Sequence, residues 1–266
     1  MFEIRRRVLN HDVVFGSFIN LGSPLTAEIV AMAGFDFLLI DLEHGAGYEA
    51  HLLGQLQAIA HTGAASVVRV EANDRPRFHR VLDLGAQGIM IPHVDTAEQA
   101  KQAIANMRYP PAGVRGVAIS NRACGFGSNF AEYFKNADQG LLAVMQIEST
   151  EAVENAEAIA AVDGVDVLFV GPLDLSHSLG ITAQFDHPKL LEACRKVARA
   201  AESAGKTAGI LMPRAEDFAM WFGMGYRFLP CYSDGGMLNT AARNLYKTLQ
   251  TAKEKALALT EVHPQS

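Results

Sequence analysis

Short runs of apolar residues, rich in Val, Ile, Leu and Phe, recur along the whole chain with polar or mixed segments between them. Each run is nearly continuous in its apolar character, which is typical of strands buried on both faces of a parallel sheet. The pattern predicts eight strands, at about 13–19, 36–41, 66–70, 87–91, 141–147, 165–170, 207–212 and 226–231.

The segments between these runs carry apolar residues at helical spacing. They predict helices at about 25–33, 49–61, 74–84, 95–107, 150–161, 187–204 and 214–223, with a last helix from about 236 to 257. Eight strand–helix units in about 250 residues match a (β/α)₈ TIM barrel, so we expect one α/β domain over residues 1–266. A doubly wound sheet is the structural alternative, but the turn after the first strand, NLGSPL (20–25), lacks the GxGxxG pattern.

One connection, residues 108–140, is much longer than the others and is rich in glycine, with two prolines and three arginines. Loops of this length usually form a lid, a binding loop or an oligomer contact, so we expect one of these roles.

Composition narrows the class of protein. The chain has 266 residues and a formal net charge of −6. This negative charge argues against nucleic-acid binding, and we interpret the basic run at 5–7 as a solvated helix face. The three cysteines are far apart and form no CxxC pair, which fits a reducing cytoplasm and excludes a disulfide framework. No export signal and no membrane span are expected.

Two acidic residues follow consecutive predicted strands. Glu148 comes after the run at 141–147, and Asp174 comes shortly after the run at 165–170. Because the carboxyl ends of parallel strands share one rim of a barrel, both side chains are expected there. Two carboxylates on one rim repel unless a positive group lies between them, and oxygen ligands favour Mg²⁺, Mn²⁺ or a similar ion.

The same rim receives Arg69 at the end of the third strand and His44 after the second. A buried Arg needs an anionic partner, so Arg69 forms either a structural salt bridge to a rim acid such as Asp41 or a clamp for a substrate carboxylate or oxyanion. His44 is the natural general base at neutral pH, unless it is simply a packed residue. His93, after the fourth strand, has a similar position.

The segment Gly171-Pro172-Leu173-Asp174 predicts a tight turn into a short helix. Its backbone N–H groups are suited to a small anion such as a carboxylate, although a plain β-to-α turn is the alternative. No lysine stands at the carboxyl end of a strand, which favours metal activation over imine formation for a carbonyl substrate. Asp83 closes a predicted helix, so within one subunit we expect it near the opposite rim; a surface acid is the alternative.

Taken together, seven segments resemble the metal-dependent pyruvate aldolases of the HpcH/HpaI family, over about residues 5–250. They are GSFINLGSP (16–24), DFLLIDLEHG (36–45), VVRV (67–70), LDLGAQGIMIPHV (82–94), RYPPAGVRG (108–116), QIES (146–149) and VGPLDLS (170–176). The resemblance implies a (β/α)₈ barrel, a homo-oligomer (a hexamer or trimer) with exchanged C-terminal helices, and reversible cleavage of a 4-hydroxy-2-oxo acid to pyruvate and an aldehyde.

The resemblance also implies roles for individual residues. Glu148 and Asp174 would bind a divalent metal (Mg²⁺, Mn²⁺ or Co²⁺, with Zn²⁺ as a further option), and Gln146, Leu173 and Asp174 would contact the pyruvate moiety. It makes Arg69 the transition-state stabiliser and His44 the general base, acting directly or through a water.

Asp83 matches a residue of this family that raises the basicity of the histidine. Given its expected position, we predict that Asp83 reaches the site across a subunit boundary.

Several alternatives stay open. The same enolate chemistry serves oxaloacetate decarboxylation and citrate-forming or macrophomate-forming condensation. A lyase acting on acyl-CoA esters is a further alternative, but the acidic chain offers no obvious basic approach for a thioester. A catalytically silent barrel that serves as a binding or assembly module is the alternative from another class. The stretch AISNRACGFGSNF (118–130) matches no particular subfamily, so the aldehyde remains open among succinic semialdehyde, lactaldehyde, tartronate semialdehyde and others.

Overall fold

A computed structural model describes residues 3–262, with side chains up to residue 259. Eight parallel strands pair in sequence order, and β8 closes on β1, so the predicted (β/α)₈ barrel is confirmed. The strands are β1 (Val14–Ile19), β2 (Phe37–Asp41), β3 (Ala65–Arg69), β4 (Gly88–Ile91), β5 (Leu142–Ile147), β6 (Val167–Val170), β7 (Thr207–Ile210) and β8 (Tyr226–Ser233).

The helices cover the outside of the barrel. They are α1 (Glu3–Leu9), α2 (Pro24–Met32), α3 (Glu49–Ile59), α4 (Arg75–Asp83), α5 (Ala97–Met107), α6 (Phe130–Gly140), α7 (Thr150–Glu154), α8 (Ala156–Ala160), α9 (Pro172–Ser178), α10 (Pro188–Ser203), α11 (Phe218–Gly223) and α12 (Asp234–Val262). The helix predicted at 150–161 is divided at Asn155, whose backbone (φ −92°, ψ 5°) leaves the helical conformation and whose side-chain amide donates to the Asp95 carbonyl at 2.7 Å.

The strands β2 to β7 are buried along their whole length because helices cover one face and inward side chains fill the other. Phe37 and Phe228 stack inside the barrel with ring centroids 4.0 Å apart. At Gly16 an added Cβ would lie 2.4 Å from the Phe37 ring, so this interior packing requires glycine there. Ile4 and Val8 of α1 join the inward cluster and close the amino-terminal end of the barrel.

The connection 108–140 is not one loop, which corrects the sequence-based description. Its last third forms α6, and a 3₁₀ turn occupies Gly125–Gly127. The earlier part is anchored by Arg115, whose fully buried guanidinium lies over the Tyr109 and Tyr133 rings at 4.7 and 5.5 Å from their centroids. A buried cation held against two aromatic rings and a carboxylate ties this segment to the barrel.

The C-terminal helix α12 is 29 residues long and extends the prediction of 236–257 at both ends. Its first residue, Asp234, is buried and accepts hydrogen bonds from Asn20 N–H at 2.9 Å and from Thr26 Oγ1 at 2.7 Å. Beyond this anchor the helix exposes large apolar side chains, namely Leu238, Leu245, Tyr246, Leu249, Leu257 and Leu259. Within residues 3–262, no helix is both long and apolar enough to cross a bilayer.

Candidate active site and metal centre

The two predicted carboxylates lie at the carboxyl ends of neighbouring strands. Glu148 directly follows β5, and Asp174 stands in the first turn of α9, just after β6. Glu148 is buried. Burial raises the pKa of the Glu148 carboxyl; contact with His93 opposes this rise, and the negative charge of Asp174 adds to it. The predicted electrostatic repulsion between the two acids is therefore present, and a cation between them would relieve it.

Both oxygens of Glu148 are held by neighbouring groups. Oε1 accepts a hydrogen bond from His93 N–H at 2.9 Å and lies 3.0 Å from His93 Nδ1. Oε2 accepts from the Gln146 side-chain amide. The other end of that amide, Gln146 Oε1, is buried and has no hydrogen-bond partner among the described residues, so it can accept from, or coordinate, a bound group.

Gly171 leaves room for this arrangement. A Cβ at Gly171 would lie 2.9 Å from Glu148 Oε2 and 3.1 Å from Gln146 Nε2. Its φ of −89° and ψ of 95° are open to any L-residue, so glycine is required here for space and not for backbone conformation.

These groups fit a hard divalent cation. Two carboxylates, with the free amide oxygen of Gln146 nearby, form an oxygen-only donor set of the kind that Mg²⁺ and Mn²⁺ prefer. Across residues 3–262 no group of three His, Cys, Asp or Glu side chains is arranged to hold a metal ion by itself. Protein ligands alone would therefore leave coordination positions open to water and substrate, which is how Mg²⁺ is usually bound at catalytic sites.

Arg69 forms the salt bridge that was one of its two predicted roles. Its Nε and Nη2 donate to the two Asp41 oxygens at 2.9 and 2.7 Å, and Nη1 lies 3.1 Å from Glu43 Oε2. Burial lowers the pKa of Arg69, but the charges of Asp41, Glu43 and Glu148 outweigh this effect and raise it overall. The guanidinium therefore stays charged at the rim in a fixed orientation.

A cavity of about 410 Å³ opens beside this salt bridge. Asp41, His44, Arg69 and Leu173 line it. Its apolar lining includes Phe185, from the segment between α9 and α10, and Leu211, Met212 and Pro213, which follow β7. This volume is within the usual range for a small-molecule site. A second cavity, of about 550 Å³, lies at the amino-terminal end of the barrel and is lined by none of the predicted site residues.

The predicted base and its predicted partner are far apart in one subunit. His44 is exposed on the cavity side, with Nε2 4.0 Å from Glu43 Oε2. Asp83 ends α4, accepts from Arg115 Nη2 at 2.9 Å, and borders a different cavity with His79. The structure of one chain thus brings His44 and Arg69 together and leaves Asp83 outside the group.

One rim residue, His93, has contacts that were not anticipated from the sequence. His93 has its Nε2 3.4 Å from Glu43 Oε1 while its Nδ1 faces Glu148, so it links the acids that follow β2 and β5. The order of residues placed His93 on the rim, but its reach to both acids depends on a left-handed backbone conformation, with φ of 53°. Every lysine in the described part of the chain is exposed or half-buried.

Comparison with known proteins agrees with the resemblance. Residues 15–241 match the family model described as HpcH/HpaI aldolase/citrate lyase. The chain is 39% identical over 235 residues to the 5-keto-4-deoxy-D-glucarate aldolase of Klebsiella pneumoniae, covering 88% of this chain and 91% of that relative.

Two solved structures are similar over nearly their whole length. An HpcH/HpaI aldolase/citrate lyase family protein from Burkholderia cenocepacia superposes with a TM-score of 0.90 at 34% identity, covering 94% of this chain and 100% of that one. The citrate synthase SbnG superposes with a TM-score of 0.83 at 30% identity, covering 95% and 98%. The chain belongs to the HpcH/HpaI aldolase/citrate lyase family.

Proposed function

We propose that the protein catalyses divalent-metal-dependent, reversible aldol cleavage of a 4-hydroxy-2-oxo acid to pyruvate and an aldehyde. The observation that carries this proposal is that four groups meet on one rim of the barrel. Glu148 is buried and is affected by the negative charge of Asp174, and Arg69 and His44 line a cavity on the same rim. The relative from Klebsiella pneumoniae is named for aldolase activity on a deoxy keto sugar acid, so we propose an acid of that class as substrate.

Glu148 and Asp174 would hold the cation, which supplies Lewis-acid polarisation of the 2-keto group when bound. Gln146 holds the Glu148 carboxylate through its amide N–H and presents its free Oε1 nearby. The turn at Gly171 and Pro172 brings Asp174 to the rim, and Leu173 lines the cavity beside it. These residues would therefore bind and orient the pyruvate half of the substrate.

Cleavage requires the loss of the proton on the 4-hydroxyl. His44 accepts this proton, the C3–C4 bond breaks, and its electron pair passes into the enolate of pyruvate, while the 4-carbon becomes the aldehyde. The Arg69 guanidinium, already oriented by Asp41, lies where it can stabilise the developing oxyanion. The proton held by His44 then returns to C3, which completes pyruvate.

We also propose that the active unit is a homo-oligomer, a hexamer or trimer, in which Asp83 of a neighbouring subunit supports His44. The exposed leucines of α12 favour this arrangement, because an amphipathic helix without a covered apolar face is unfavourable in water. We propose exchange of α12 between neighbours, a cytoplasmic location, and Mg²⁺, Mn²⁺ or Co²⁺ as the metal, with Zn²⁺ as a further option.

The direct test is pyruvate release from a 4-hydroxy-2-oxo acid by EDTA-treated protein, before and after Mn²⁺ is added back. We expect no turnover without metal and recovery with it. Glu148→Ala should lose metal binding and activity together, whereas Glu151→Ala, at an exposed glutamate of α7, serves as the matched control. Equal turnover in EDTA would refute the proposal.

A second reaction is favoured by the likeness to a citrate synthase structure at 30% identity. Because the site would stabilise an enolate, oxaloacetate decarboxylation and citrate-type condensation are its natural competitors. Rates of aldol cleavage and of oxaloacetate decarboxylation, measured on the same preparation, separate the two. If calorimetry finds no binding of metal or pyruvate analogues, the protein is instead a binding or assembly module.

A further inference from the structure

Two residues, Glu43 and His93, connect Arg69 to Glu148 across the mouth of the barrel. Glu43 Oε2 is 3.1 Å from Arg69 Nη1, and Glu43 Oε1 is 3.4 Å from His93 Nε2. On its other side, His93 Nδ1 is 3.0 Å from Glu148 Oε1. These side chains therefore form a continuous line of contacts from Arg69, which lines the cavity, to the Glu148 carboxylate of the candidate metal centre.

The backbone at His93 is held in a conformation that is disfavoured for a residue with a Cβ. Its φ is 53°, in the left-handed region. Pro92 and Val94 on either side are buried, and Val94 N–H donates to the Gln146 carbonyl at 3.3 Å. This conformation directs the His93 N–H to Glu148 Oε1 at 2.9 Å, so backbone and ring act on the same oxygen. Such strain persists where the surroundings fix it, and it is concentrated at functional sites.

Glu43 is the second unusual residue in this line of contacts. Its side chain is only 11% exposed, yet within the described part of the chain its Oε2 has no aligned hydrogen bond despite its closeness to Arg69. Buried carboxylate oxygens are normally satisfied, so an oxygen held by charge alone needs an explanation. Its ion-pair neighbours among the described residues are Arg69, His93 and, at 4.0 Å, His44. All three lie on the rim.

We propose that Glu43 and His93 form a brace, a pair of positioning residues that fixes the Arg69 guanidinium relative to the Glu148 carboxylate. This inference rests on the proposed function, since it assigns the brace to the same reaction. Arg69 and Glu148 come from different strands, β3 and the end of β5, and catalytic groups must be held to about half an ångström. Outer residues that orient metal ligands and catalytic groups supply this precision.

A double-mutant cycle with Glu43→Gln and His93→Ala tests the brace. Each single substitution is expected to lower kcat/KM by about 10- to 100-fold, mainly through kcat, because substrate-binding groups are unchanged. Because the two residues act as one unit, the kcat/KM of the double variant should be no lower than that of the more impaired single variant. If the two losses multiply instead, the residues act independently and the brace does not exist.

Metal affinity gives a readout that does not depend on turnover. Titration calorimetry with Mn²⁺ should show weaker binding by about 10-fold or more for His93→Ala, because Glu148 loses the ring that orients it. Unchanged Mn²⁺ affinity would contradict the brace. Glu28→Gln and His61→Ala, at exposed residues far from the rim, are the matched controls and should bind Mn²⁺ as the parent protein does.

The variant His93→Gly separates the effect of the imidazole ring from the effect of the backbone conformation. Glycine adopts a φ of 53° without strain and keeps the N–H on Glu148, so only the ring is lost. The brace predicts that His93→Gly is as impaired as His93→Ala; parent-like activity in His93→Gly would overturn it. If His93→Ala does not fold, His93→Asn replaces it in the cycle, because Asn tolerates the left-handed conformation.

The two proposals fail in different ways. Absence of metal-dependent cleavage in the parent protein refutes the proposed function, while the Mn²⁺ titrations still test the hold of His93 on Glu148. Normal cleavage by the parent protein combined with multiplicative losses refutes the brace alone.

Discussion

Gly171→Ala tests whether the space beside Glu148 is needed for metal binding and not for folding. The new Cβ would lie 2.9 Å from Glu148 Oε2 and 3.1 Å from Gln146 Nε2. Carbon and oxygen atoms in ordinary contact stand about 3.4 Å apart or more. The Glu148 carboxylate must therefore move by about half an ångström, and the amide that donates to it must move as well.

The size of the effect follows from that displacement. A misplacement of about 1 Å at a reacting centre costs about 100-fold, and altered support of a metal ligand costs about 10- to 100-fold. We therefore expect Mn²⁺ affinity and kcat/KM each to fall by about 10-fold or more. The backbone at Gly171 accepts alanine, which by itself stabilises folding by about 0.4–1 kcal/mol. The clash opposes this gain, so the melting temperature should change by no more than about 2–4 °C.

Calorimetric titration with Mn²⁺, pyruvate-release rates and thermal unfolding measure the three quantities on one preparation. Gly63→Ala is the matched control, because a Cβ at Gly63 meets no atom within 4 Å. Parent-like Mn²⁺ affinity and rate in Gly171→Ala would show that the Glu148 carboxylate is not a metal ligand. A fall in melting temperature far beyond that of the control would show that Gly171 serves folding instead.

Three further predictions address the base, the salt bridge and pH. His44→Ala should lower kcat by about 100- to 10,000-fold in steady-state assays while Mn²⁺ affinity stays unchanged; a loss of metal would refute its role as base. Arg69→Met removes the cation that pairs with the buried Asp41 carboxylate, so urea unfolding should show a loss of about 3–5 kcal/mol, and an unchanged free energy of unfolding would mean that this salt bridge does not stabilise the fold. Burial lowers the pKa of His79, whose Nε2 accepts from Gly116 N–H at 3.1 Å. The His79 ring therefore binds a proton more tightly in the unfolded chain than in the folded one. The free energy of unfolding should fall as the pH drops below 6.5 towards the lower pKa of the folded state. If the free energy of unfolding of His79→Gln has the same pH slope as that of the parent protein, this prediction is contradicted.

The architecture was predictable because strands buried on both faces leave an unmistakable apolar signal. Glu148 and Asp174 were predictable for a geometric reason, since the ends of parallel strands share a rim whatever the side-chain detail. The same rule placed Arg69 and His44 beside the cavity that they line.

The remaining features depend on contacts that sequence order does not encode. Helix α6 was missed because the glycine-rich stretch before it hid the helical spacing of Phe130, Phe134 and Ala137. The burial of Arg115 depends on rings and a carboxylate from three separate segments. The bridge made by His93 depends on a backbone conformation that its residue type disfavours. The role proposed for Asp83 would involve a second copy of the chain, whose position the sequence of one copy does not encode.

We propose above that a cation held by Glu148 and Asp174 allows this site to form the enolate of pyruvate. Exchange of the pyruvate methyl protons in D₂O, followed by proton NMR, tests this claim without knowledge of the aldehyde. We expect exchange with Mg²⁺, none after EDTA treatment, and none in Glu148→Ala. Exchange that persists in EDTA, or a parent protein that exchanges no protons with Mg²⁺ present, would contradict it.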